Sequence, residues 1–150
     1  MNQKRNFITS LHKSTARNYL GRMINQKVKC MSIAKKYSYD YWDGNRKYGY
    51  GGYSYIPGRW KTVAKKLIKT YRLTNNSKIL DVGCGKAFLL YEIKKILPKI
   101  QVYGFDISNY AIQKSKKLVR KNLYKFDAKR KFKYKKNYFD LVISLATLHN

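Results

Sequence analysis

The stretch Lys78-Ile79-Leu80-Asp81-Val82 runs without a break into Gly83-Cys84-Gly85, and the chain then turns helical from Phe88 to Leu97. A short apolar strand, a glycine turn and a helix in direct succession strongly limit the fold. Ile79 and Leu80 are neighbours and so would point to opposite faces of the strand, which places it inside a parallel sheet with both faces covered. Pro98 stops the helix. Gln101–Phe105 is a second strand. Asn109–Arg120 reads as a second helix with Ser108 as N-cap. Leu123–Phe126 is a weaker third strand, and Phe139–Ser144 a fourth. Strands alternating with helices imply right-handed crossover units with both sheet faces covered. Upstream, Trp60–Tyr71 has helical spacing through Val63, Leu67 and Ile68.

Two further zones precede this pattern. Residues 1–36 are basic, with Leu20, Met23, Ile24, Val28 and Met31 at helix-like spacing, and one or two amphipathic helices are expected there. Residues 37–59 interleave Tyr and Trp with Gly44, Gly49, Gly51, Gly52 and Gly58. That glycine density forbids a long helix and predicts an irregular loop with aromatic anchors. The division expected is therefore 1–59 as helical segment plus aromatic loop, and 60–150 as the α/β portion.

In an open parallel sheet, ligands sit beyond the carboxyl ends of the strands. Those ends carry Asp81, Asp106, Asp127 and Ser144. A dinucleotide fingerprint G-x-G-x-x-G would need glycine at position 88, which is Phe88, so a nicotinamide or flavin is disfavoured. An acid just before the glycines suits a ligand that carries an ammonium group. Asp106, at the end of the second strand, can accept two hydrogen bonds from ribose hydroxyls.

Asp81-Val82-Gly83-Cys84-Gly85-Lys86-Ala87 resembles motif I of the class I S-adenosylmethionine-dependent methyltransferases, D-x-G-x-G-x-G, with Ala87 in place of the last glycine. Alanine is expected to be tolerated there, as the opening residue of a helix. The resemblance covers Ile79–Asn150. It implies a Rossmann-like α/β fold with a parallel sheet and flanking helices. It also implies S-adenosylmethionine as cofactor, its methionine portion against Asp81, Gly83, Cys84 and Gly85. Asp106 would take the ribose, Ile107 would lie against the adenine, and Asp127-Ala128 would meet the adenine edge. Ser144 and the residues after it would line the methyl-transfer site. Cys84 fills a slot the family leaves variable. Asp140 is expected to anchor a strand edge. His149 is the one candidate general base. The Leu148-His149 ending resembles enzymes that act on small molecules, and the Asn/Asp-Pro-Pro-Tyr signature of many nucleic-acid methyltransferases is missing. The segment Tyr39–Gly44, with Tyr48–Tyr53 and Gly58–Trp60, resembles part of a little-characterised group of bacterial methyltransferases. It is expected to fold over the cofactor as a lid that uses Tyr53 and Arg59.

The leading expectation is a cytoplasmic methyltransferase with a small-molecule acceptor. The alternative is a truncated, non-catalytic cofactor-binding fragment, since seven strands are usual in the family and four are legible here. Strand four would then be an open edge able to pair with another copy or another chain. RNA methylation is the third reading and rests on charge alone. The chain has 34 Lys+Arg against 7 Asp+Glu, a net +27. Lysine excess together with abundant Asn, Ile and Tyr is also what an AT-rich genome produces, so RNA is not favoured. Cys30 and Cys84 have no metal-ligand or disulfide spacing. No apolar run approaches the roughly 20 residues of a membrane span.

Overall fold

Four parallel strands in the order β3-β2-β1-β4 form the sheet of this protein, seen in a computed structural model that describes residues 7–8, 27–145 and 147. They are β1 (Lys78–Val82), β2 (Gln101–Asp106), β3 (Leu123–Lys125) and β4 (Leu141–Ile143). Pairing is in continuous register, from Lys78 against Gln101 to Val82 against Phe105, and from Ile79 against Leu141 to Asp81 against Ile143. The chain goes outward from β1 through β2 to β3, then returns to the other side of β1. The order therefore reverses at β1, and the crevice of such a sheet opens at the carboxyl end of the strand where it reverses.

Helices α1 (Lys27–Ala34), α2 (Tyr39–Trp42) and α3 (Lys61–Tyr71) precede the sheet, α4 (Phe88–Ile96) follows β1, and α5 (Asn109–Gln113) and α6 (Lys117–Arg120) lie between β2 and β3. Alternate strand residues face opposite sides. Ile79 and Val102 join Val63, Ala64 and Leu67 of α3 and Leu90 and Ile93 of α4 in the main core. Leu80, Val82 and Phe105 face the other way, and there the cover is aromatic: Phe126, Tyr134 and Phe139 pack against them. The sheet is thus covered by helices on one side and by rings on the other.

The helix expected over 109–120 is two short ones. Ser108 caps α5, its Oγ accepting from the Ala111 N–H at 3.0 Å. Ser115 then ends the first turn by donating from Oγ to the Ile112 carbonyl, and Lys116 is extended. A serine that bonds its own preceding turn competes with helix continuation. The amphipathic helix expected near the N-terminus is α1, but it buries nothing: Val28 is 83% exposed and Met31 is exposed as well. Leu20, Met23 and Ile24 lie outside the described residues. In 37–59 a single helical turn, α2, interrupts the expected loop. No helix among the described residues is long and apolar enough to cross a membrane.

Candidate functional site at the carboxyl end of the sheet

The turn after β1 requires glycine twice. Gly83 has φ +73, and a Cβ there would stand 2.1 Å from Thr147 Oγ1. Thr147 Oγ1 in turn donates to the Val82 carbonyl at 3.1 Å, which ties the segment after β4 to the turn after β1. Gly85 has φ +55, and a Cβ there would meet the Trp42 ring at 2.7 Å. Ala87 corrects the expectation attached to it. It is not inside the helix but caps it at φ 54, ψ 34, a left-handed conformation that disfavours a side chain. Its methyl is buried, which offsets the strain.

Two acids face each other across the ends of β1 and β2. Asp106 Oδ2 accepts from the Gly85 N–H and Oδ1 from the Ser108 N–H, both at 2.8 Å. Burial raises its pKa, and the backbone hydrogen bonds from Ser108, Gly85 and Ile107 offset part of that rise. Each oxygen keeps a lone pair for a further donor. Asp81 is 5% exposed, and no described residue donates a hydrogen bond to its carboxyl. Burial, then repulsion from Asp106, pushes its pKa up to about 8. Ser144 follows Ile143, the register partner of Asp81, and its buried Oγ has no hydrogen-bond partner among the described residues. Two adjacent strand ends therefore hold buried polar groups with no hydrogen-bond partner among the described residues. This is an arrangement that disfavours itself unless a polar, cationic guest completes it.

The aromatic segment lies over this end of the sheet. Trp42 is buried against Gly85, and its Nε1 donates to Ser108 Oγ at 2.8 Å. Tyr53 stacks on Phe88 at 5.2 Å between centroids and meets Trp42 at 5.6 Å. Burial pushes the Tyr53 hydroxyl up to about 12. The tie that holds the segment down was not foreseen. Lys86, 4% exposed within the motif itself, reaches both carboxylate oxygens of Asp43 and the Tyr53 carbonyl, each at 2.7 Å. Tyr110 donates to the same carboxylate at 2.7 Å, and the Tyr53 N–H at 3.0 Å. Burial alone would raise Asp43, but the bonds from Lys86, Tyr110 and Tyr53 outweigh it and hold the carboxyl below its usual range. A second clasp joins Tyr55 to the buried Glu92 of α4. The scarcity of acids was the only available signal: two of the chain's seven, Asp40 and Asp43, fall in the aromatic loop.

The remaining expected residues are placed as follows. Ile107 is 45% exposed beyond β2, free to pack against a flat ring. Asp127 uses Oδ1 on the Lys129 N–H at 2.9 Å, and Ala128 is exposed beside it. The Cys84 thiol is pushed well up by burial and by the carboxylates of Asp81 and Asp106, which makes it a poor nucleophile. Arg59 is exposed on the aromatic segment. Asp140 anchors the sheet, Oδ2 accepting from the Lys78 N–H at 2.7 Å. His149 lies outside the described residues. Among the described residues no cluster could hold a metal ion.

Residues 73–150 match the family model described as a methyltransferase domain, over half of the chain. The chain belongs to that family, within the class I S-adenosylmethionine-dependent methyltransferases. It is 32% identical over 89 residues to the ribosomal RNA small subunit methyltransferase C of Buchnera aphidicola, a match covering 58% of this chain and 26% of that protein. A solved S-adenosylmethionine-dependent methyltransferase from Aquifex aeolicus is similar at 21% identity and a TM-score of 0.43, over 61% of this chain and 57% of that one. The plantazolicin methyltransferase BpumL, solved in complex with SAH, is similar at 22% identity and a TM-score of 0.45, over 81% of this chain and 50% of that one.

Proposed function

We propose that this chain binds S-adenosylmethionine across the ends of β1, β2 and β4 and takes part in methyl transfer. The observation that carries the reading is Asp81, a buried carboxyl to which no described residue donates, near the buried Ser144 hydroxyl, which has no partner among the described residues. Asp81, Gly83, Cys84 and Gly85 would hold the methionine end, with the Asp81 carboxylate toward its ammonium group. Asp106, already fixed by two backbone N–H groups, would accept from the ribose hydroxyls. Ile107, Asp127 and Ala128 would border the adenine. When bound, S-adenosylmethionine supplies a methyl group activated on a sulfonium. What this chain contributes is placement and dryness. The Trp42–Tyr53 segment covers the glycine turn and keeps water from it, and the Lys86–Asp43 tie holds that cover in place. Tyr53, within this cover, and the exposed Arg59, six residues further on, would act as its lid residues.

Calorimetric titration with S-adenosylmethionine tests the reading. The wild-type chain should bind, and Asp81→Asn should bind at least about tenfold more weakly, as expected when a buried charge partner is lost. No heat at saturating cofactor would overturn it. The lid fails if Arg59→Ala and Tyr53→Phe leave affinity unchanged. The expectation of a small-molecule acceptor rests on Leu148-His149, outside the described residues. The charge of the described surface bears on the acceptor more directly.

A further inference from the structure

Between Lys125 and Lys136, seven of twelve residues are Lys or Arg: Lys125, Lys129, Arg130, Lys131, Lys133, Lys135 and Lys136. All seven are exposed, and none is in an ion pair among the described residues. The only acid in the stretch, Asp127, is engaged by the Lys129 N–H. Residues 131–135 form no regular element; Phe132 packs on Phe105 and Tyr134 on Phe139, while Lys131, Lys133 and Lys135 between and beside them are exposed. The rings are not fully hidden. Phe132, packed on Phe105 and Phe126, is 41% exposed, and Tyr124, hydrogen-bonded to Tyr134 at 2.7 Å, is 36% exposed. A row of unpaired cations beside half-exposed rings is the surface that tracks a phosphate backbone while bases stack. The row also starts at the site, because Lys125 is the register partner of Asp106.

We propose that the segment Tyr124–Tyr138 docks single-stranded RNA and presents it to the carboxyl end of the sheet. RNA is chosen because unpaired, stackable bases are its ordinary recognition surface. Lysine is frequent along the whole chain, but residues 125–136 carry seven Lys or Arg in twelve positions against one acid, beside the site. The inference names the acceptor side of the methyl-transfer reading and in that sense rests on it. RNA binding is measured without cofactor, however, so the two can fail separately.

The test uses the full chain and a fluorescein-labelled, unstructured RNA of about 16 nucleotides, with affinity followed by anisotropy across a salt series. Lys131→Glu/Lys133→Glu/Lys135→Glu should weaken binding about tenfold or more and lower the salt slope by about 2, the loss of three phosphate contacts. The matched reversal Lys61→Glu/Lys65→Glu/Lys69→Glu, on exposed positions of α3, should leave the slope within about 0.5 of wild type. Phe132→Ala should weaken binding about fivefold or more through lost stacking, with circular dichroism confirming a folded chain. Equal effects from the two triple variants would overturn the proposal, because charge alone would then suffice. Preference for an oligo-dT strand of the same length would overturn the choice of RNA. Binding to phosphatidylserine vesicles without binding to RNA would assign the row to a membrane surface instead.

Discussion

Replacing Asp81 by Asn should make the protein more stable at neutral pH while weakening its hold on cofactor. The Asp81 carboxyl titrates at about 8 in the folded chain, against an ordinary 3.8, because burial and then Asp106 disfavour its charge. The folded state keeps this proton where the unfolded state has lost it, so its stability falls as pH rises from about 4 to about 8. Each pH unit in that window costs about 1.4 kcal/mol, or about 3 kcal/mol between pH 5 and pH 7. That is a large share of the ~5–15 kcal/mol that holds a domain together. Asn carries no such proton. Urea unfolding, read by tryptophan fluorescence at pH 5, 6 and 7, should therefore show Asp81→Asn gaining on wild type by about 1.4 kcal/mol per pH unit. A pH-independent difference would refute the reasoning, since Asp81 would then not be the protonated, uncompensated carboxyl described above. The cofactor supplies a second reading of the same proton. If its ammonium group binds the carboxylate, wild-type affinity should rise by up to about tenfold per pH unit over this range, and the variant's should stay flat.

Three further outcomes are expected. Lys86→Met should cost about 2–3 kcal/mol by stranding Asp43, less than the 3–5 of a fully buried pair because Asp43 is partly open to water, and adding Asp43→Asn should recover part of the loss in a double-mutant cycle. A coupling under about 0.5 kcal/mol would show that the tie is not holding the segment. Gly85→Ala should cost about 2–4 kcal/mol through backbone strain and contact with Trp42, and should red-shift tryptophan emission as the ring is displaced; an unshifted spectrum would show that Trp42 does not lie on Gly85. Ala87→Gly should be neutral within about 1 kcal/mol, because relief of left-handed strain balances the lost methyl and the freer unfolded chain. Ala64→Gly, buried in regular α3, should cost at least about 1 kcal/mol more by chemical denaturation.

What the sequence showed depended on how far apart the partners are. β1 is found at Lys78–Val82 as expected, and the turn after it is a local matter of a strand running into glycines. Ser108 could be read as a cap because its partner, Ala111, is three residues away. The break at Ser115–Lys116 is local too, but the choice between helix and back-bonded turn is settled by packing, which periodicity does not report. The Lys86–Asp43 tie spans 43 positions and Trp42–Ser108 spans 66, and no spacing rule joins them. Ala87 shows a different limit. Its residue type suited the opening of a helix, and it does stand at that opening, but its backbone there is left-handed, and helix propensity says nothing about a residue that stands just before the helix.

The placement of the seven acids bears on the charge of the whole chain. Asp81, Glu92 and Asp106 are buried, Asp43 is held by Lys86, and Asp40 lies in the first turn of α2. Asp127 and Asp140, nearer the surface, each bind a backbone N–H, which leaves their charge to be screened by solvent rather than paired with a cation. Four of the seven acidic residues, Asp43, Asp81, Glu92 and Asp106, are therefore gathered at the carboxyl end of the sheet and under its aromatic cover, Asp81 keeping its proton at neutral pH. Seven of the 34 basic residues line the stretch that begins at the end of β3, beside it. A cationic ligand and a polyanionic acceptor would be drawn to adjoining places for opposite reasons. Their responses should differ accordingly: the buried acids answer to pH, because burial sets their proton affinity, and the exposed lysine row answers to salt, because its charges act through water.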